Sequence, residues 1–239
     1  MVDALELALE VARATDGAFD PTVKPLVDLY REQKKSGIAP SAEAVASAKA
    51  RVDWRRVRRV PGKNRIEKLS PDVAIDLDGI VAGYAADLLA PALAELSVVN
   101  FMLDVTGEIL CRGVRPDGLP WRIGIVDPDN AMVGAEQSLL VVPIRDRSLC
   151  TSGDYRNFVV ADGKVTTHVF DPRTGQNPTH GVVSVSVLAR SCAVADAVGT
   201  ALMVTGPDAA RGLLKSLRST FRLDVELAAD AELAAWFVL

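Results

Sequence analysis

The chain has little of what many metal and redox sites need. It has three cysteines, Cys111, Cys150 and Cys192, and two histidines in 239 residues. The cysteine spacing fits no metal motif, and an odd number leaves at least one thiol free. Their apolar neighbours predict buried, reduced thiols. No apolar run is long enough to cross a bilayer. The start, Met1-Val-Asp-Ala-Leu-Glu, has neither the basic stretch nor the apolar stretch of an export signal, so the chain as given is expected to be cytoplasmic. Basic residues are no surplus either: the net charge is −4, and the one basic cluster, Arg55-Arg-Val-Arg-Arg59, reads as the solvated face of a strand. That balance argues against a nucleic-acid partner. Repeats and low-complexity segments are also absent.

What is present is enough apolar residue for a sizeable core: 49% of the chain. Helical spacing predicts helices over 5–14, 22–33 and from a Ser41 cap to about Val52. Strands are expected at 56–60 and 65–69 around Pro61-Gly-Lys-Asn64, at 73–77, at 101–105 and 108–112 around Thr106-Gly107, and at 121–126, 138–144 and 157–160. Asp162-Gly163 predicts a hairpin turn into 164–170. Alternating Val and Ser predict a half-buried strand over 182–188. Further helices are expected at 79–96, 191–204 and 207–217, and a last strand near 221–227. Helices first, then mainly antiparallel strands with helices inserted, define an α+β class. The expected organisation is a single domain, with a helical lobe over 1–54 and a sheet region over 55–239.

Four segments carry chemistry. Asp196 and Thr200 are four residues apart on an apolar helix, so their oxygens share a face. Asp196 is the lone charge between Arg190 and Asp208, and a buried lone carboxylate needs a cation or strong donors. A hard cation such as Mg²⁺ suits those oxygens; capping of the helix start is the alternative. Asp76-Leu-Asp-Gly-Ile-Val-Ala-Gly-Tyr84 runs into a glycine-spaced helix start, which suits phosphate or close helix packing. His168, Asp171, Arg173 and Thr174 combine a base near neutral pH with a phosphate-holding guanidinium, or form a plain Asp-Pro turn. Thr151-Ser-Gly-Asp-Tyr155 offers hydroxyls and N–H groups, or an ordinary polar turn.

Taken in order, Asp16-Gly-Ala-Phe-Asp-Pro-Thr-Val23, Ile75 to Asp87, Asp104-Val-Thr-Gly-Glu108, Trp121 to Pro128, Thr151 to Asn157, His168 to Gly175 and Ala195 to Thr200 resemble the ApbE family of FAD:protein FMN transferases. The resemblance covers nearly the whole chain. It implies an ApbE-like fold and Mg²⁺-dependent transfer of FMN from FAD to a Thr or Ser of a target flavoprotein, with release of AMP. It assigns Asp196, Thr200 and the Val81 carbonyl to the metal, and His168 to activation of the acceptor hydroxyl. Asp78, Gly79, Glu108, Thr151, Ser152, Gly153, Asp154 and Arg173 fall at the flavin or its diphosphate. His180 receives no role. Relatives of this kind are often exported and membrane-anchored.

The pattern departs at three residues. Asp78 stands where the family has Gly, Ala82 where it has Lys, and Thr106 where it has Gly. Family members also carry an upstream segment that contributes to the FAD site. This chain begins inside the equivalent helix, so that part of the pocket is expected to be missing or supplied by another chain. Two further activities stay open on the same fold: a metal-dependent FAD pyrophosphatase, and a degenerate flavin-binding protein without turnover.

Overall fold

A computed structural model describes residues 1–128, 138–155, 158–161, 164–220 and 233–238. Helix α1 (Val2–Ala14) buries Ala4, Leu5, Ala8, Leu9, Val11 and Ala12 and exposes Glu10 and Arg13. Helices α2 (Lys24–Ser36) and α3 (Ala42–Lys49) follow. The left-handed Gly37 ends α2. The Ser41 hydroxyl accepts from the Ala44 N–H at 3.2 Å and starts α3. Strands β1 (Val57–Arg59) and β2 (Ile66–Lys68) form an antiparallel hairpin. Its arginines are solvated and paired: Arg58 with Glu67, Arg59 with Asp3 and Glu6.

The segment at 73–77, expected as a strand, is irregular. Its Asp76 N–H goes to the Pro21 carbonyl, at 2.8 Å, rather than to a ladder. It leads through a turn at 78–80 into α4 (Val81–Glu95). Then come β3 (Phe101–Val105), β4 (Glu108–Arg112), β5 (Trp121–Val126), β6 (Ser138–Ile144), β7 (Ser148–Gly153), β8 (Phe158–Ala161), β9 (Lys164–Thr167) and β10 (Ser184–Ala189). Helix α5 (Cys192–Thr220) breaks at Gly206, whose φ of 71° is not helical, just before Pro207. It therefore acts as the two helices expected there. Strand β11 (Leu233–Val238) completes the described chain. The turn expected at Asp162-Gly163 and the strand expected near 221–227 lie outside the described residues.

The main sheet is antiparallel, in the order β11-β10-β7-β4-β3. Strand β10 is not half-buried: Val185, Val187, Ser184 and Ser186 are all buried, because the strand lies between two neighbours and under two layers. One face packs Leu110, Cys150, Val185 and Val187 into the core shared with α1, α4 and α5. The other packs Cys111, Leu149, Ile109 and Leu188 against Ile125, Val142 and Ile144 of the β5–β6 ribbon. The fold is thus α+β, with helices, sheet and ribbon in layers. Helix α1 belongs to the main core, whereas Leu26 of α2 joins Ala48 and Val52 in a small core of its own. All three cysteines are free and buried.

The α4–α5 crossing matters most for the site. A Cβ on Gly83 would lie 2.5 Å from the Cys192 carbonyl oxygen, so only glycine lets these backbones meet. Across the same crossing Asp87 caps α5: its carboxylate accepts from the Cys192 and Ala193 N–H groups and from the Ser191 hydroxyl.

Candidate active site

The ends of these elements enclose a cavity of about 640 Å³. Its inner wall holds Glu108 at the start of β4, Thr151, Ser152 and Gly153 at the end of β7, and Asp196, Thr200 and Met203 on α5. Its outer wall is the face of α2 that carries Val23, Val27, Tyr30, Arg31 and Lys34. Asp76, Asp78 and Gly79 form one side, with Phe19 and Asp20; His168, Val169, Phe170 and Pro172 form another.

Asp196 is 5% exposed. Among the described residues its hydrogen bond is from the Gly83 N–H, at 3.2 Å. The capping role open to it in the sequence is filled by Asp87. Burial, with the Glu108 charge second, pushes the Asp196 carboxyl up to about 8. Burial likewise pushes Glu108 up to about 7, against bonds from the Cys150 thiol and the Thr151 N–H. Thr200 lies one turn beyond Asp196 and close to Gly79, where an added Cβ would come within 3.0 Å of the hydroxyl. Among the described residues no three His, Cys, Asp or Glu side chains form a metal-holding cluster. The donor set at Asp196 is instead one carboxylate and one hydroxyl, hard oxygens that suit Mg²⁺ when carbonyl and ligand oxygens complete the shell. A buried carboxylate with a single N–H partner fits such a cation.

His168 follows β9, with its ring 6.3 Å from that of Tyr30, centroid to centroid. Asn177 holds this stretch: its amide donates to the carbonyls of Thr167 and Val169. Asp154 stands behind. Burial raises its carboxyl, while the charge of His168 and a bond from Thr167 pull it back down. Asp154 is therefore a charge partner for His168 rather than part of the cavity lining.

Arg173 is also absent from the lining. Its Nε and Nη2 donate to the Asp171 carboxylate at 2.8 and 2.9 Å, which rigidifies the turn ending at Gly175. Val81 opens α4 and is 46% exposed; the role expected of it concerned its carbonyl. The other expected residues, Asp78, Gly79, Glu108, Thr151, Ser152, Gly153, His168, Asp196 and Thr200, converge on the one cavity. His180 packs against Gly206 and accepts the Val182 N–H instead. Thr106 lines the cavity with φ of 56°, a left-handed conformation that favours glycine and costs about 1–2 kcal/mol in other residues.

Sequence reasoning missed Asp20, Tyr30, Arg31 and Lys34. Asp20 is buried but satisfied, accepting from the Thr22 N–H and hydroxyl and from the Trp54 N–H. The face 23, 27, 30, 31, 34 has helical spacing and was a usable signal.

Residues 1–223 match the ApbE family. The chain belongs to the ApbE family. This ApbE-family chain is 37% identical over 219 residues to an FAD:protein FMN transferase of Klebsiella pneumoniae, covering 90% of the chain and 62% of that relative. It is 36% identical over 220 residues to the protein of that name from Escherichia coli K12, again covering 90% and 62%. The chain thus spans less than two thirds of the length of these relatives. Among solved structures it is similar to the apo flavinyl transferase ApbE of Pseudomonas stutzeri, with a TM-score of 0.79 and 31% identity over 99% of this chain and 68% of that one. It is also similar to the ApbE protein of Thermotoga maritima, with a TM-score of 0.80 and 27% identity over 99% and 72%.

Proposed function

We propose that this chain carries the transfer of FMN from FAD to a Thr or Ser hydroxyl of a target flavoprotein, with release of AMP and dependence on Mg²⁺. The observation that carries this reading is the buried, under-bonded Asp196 beside Thr200, in one cavity with His168. His168 accepts the proton of the acceptor hydroxyl, and Asp154 stabilises the imidazolium that results. The hydroxyl oxygen then bonds to the FMN-side phosphorus as the bridging P–O bond to AMP breaks. Asp196 and Thr200, with the Val81 carbonyl, would hold the cation, which would supply neutralisation of charge on the diphosphate. Thr151, Ser152 and Gly153 line the same inner wall beside them and orient the flavin end, and the buried α5 face keeps bulk water from that side. Positioning does most of the work in such phosphoryl transfers.

The test is incubation with FAD, Mg²⁺ and a Thr-bearing acceptor, followed by mass measurement of the acceptor. A gain equal to FMN is expected. Free FMN and AMP without an acceptor gain would establish a pyrophosphatase instead, and FAD binding without any product would establish a non-catalytic flavin protein.

A further inference from the structure

The cavity is acidic. Asp20, Asp76, Asp78, Glu108 and Asp196 line it, and among the described residues its cationic lining, apart from His168, is Arg31 and Lys34. Those two are three residues apart on α2, on one face. The Arg31 guanidinium donates to Asp78 at 3.1 Å, and Asp28 lies on its other side at 3.6 Å. Asp78 adjoins Gly79, where an added Cβ would come within 3.0 Å of the Thr200 hydroxyl, and Thr200 is one turn from Asp196. This chain of neighbours puts Arg31 at the Asp196 end of the cavity. The preceding residue, Tyr30, has a buried hydroxyl with no partner among the described residues. The Arg31–Asp78 pair is exposed, with side chains 49% and 78% accessible. Pairs of that kind contribute little to stability and exchange readily. Phosphate offers the same guanidinium a bidentate, charge-assisted partner of higher charge.

We propose that Arg31, supported by Lys34, is the phosphate contact of this cavity, and that Asp78 is a stand-in anion that the ligand displaces from Arg31. The inference rests on the flavin reading above and adds a residue that sets affinity for the phosphorylated part of the ligand. Asp78 is then an internal competitor: it orients Arg31 but opposes the incoming anion.

The test is flavin fluorescence quenching with Mg²⁺ present, using FAD and phosphate-free riboflavin as probes. Arg31→Gln should weaken FAD by about tenfold, the loss of one strong charge-assisted contact, and leave riboflavin unchanged. Its salt dependence should also flatten. Arg31→Lys should recover part of the loss, since the charge stays and the fork is lost. Asp78→Asn should tighten FAD in the parent chain and have no effect on the Arg31→Gln background. Equal weakening of FAD and riboflavin in Arg31→Gln, or no change in either, overturns this inference while the flavin reading stands. A parent chain that binds neither probe overturns both. Unchanged thermal unfolding of the exposed-site variants confirms that the readout is binding.

Discussion

The two walls of the cavity handle charge in opposite ways. The inner wall buries Asp196 and Glu108 with few partners, and both carboxyls are pushed towards neutral pH. The outer wall leaves Arg31 in water and pairs it with Asp78, also exposed, on the adjoining side. Burial makes a charge expensive, so the inner carboxylates are poised to change state when a cation or substrate arrives. Exposure makes a charge cheap, so the outer pair can tune affinity without storing strain. Chemistry is expected to fail when the inner wall changes; affinity is expected to shift when the outer wall does.

The largest effect should come from Asp196→Asn. Flavin transfer should fall on the order of a thousandfold, about 4 kcal/mol of barrier, in a mass-based acceptor assay. Retained transfer would erase the distinction between the walls. His168→Ala should follow, with a loss of roughly a hundredfold or more in transfer rate and FAD affinity retained in a binding titration.

Gly83→Ala tests the crossing that supports the inner wall. Its Cβ would meet the Cys192 carbonyl and the Ala193 backbone, so a stability loss of about 1–3 kcal/mol is expected in denaturant unfolding. Smallest should be Arg173→Gln: its guanidinium is held by Asp171 outside the lining, and FAD affinity should change by less than about twofold. A tenfold loss there would move the phosphate contact from α2 to the Asp171 turn.

The sequence made some parts of this architecture plain and hid others. The β3–β4 hairpin followed from apolar segments flanking Thr106-Gly107, and Gly206-Pro207 announced the break in α5. Strand β7 was missed. It runs through the middle of the sheet and is buried on both faces near Ser148, so it shows no alternation of apolar and polar residues. The segment at 73–77 looked like a strand because it is short and mostly apolar, but its backbone partner is Pro21, far away in sequence. Asp196 was legible because it is a lone charge on an apolar helix. Asp87 as the cap of α5 was not, since the contact joins two helices 104 residues apart. Arg31 was hidden for a similar reason: a solvated arginine on a polar helix face gives no sign that Asp78 waits opposite it.

Proton linkage gives the account its most direct check. The Asp196 carboxyl titrates at about 8 in the folded chain against an ordinary 3.8. Between those values the folded state holds a proton that the unfolded state has released. The metal-free chain should therefore lose stability as pH rises from about 4 to about 8. A cation at Asp196 must displace that proton, so binding should strengthen across the same range. The decisive measurement is a calorimetric Mg²⁺ titration at pH 7 with FAD present, repeated in buffers of different ionisation enthalpy. The parent chain should bind Mg²⁺ and release about one proton per ion, and Asp196→Asn should do neither. Equal Mg²⁺ binding and equal proton release in the two proteins would contradict the assignment of the inner wall.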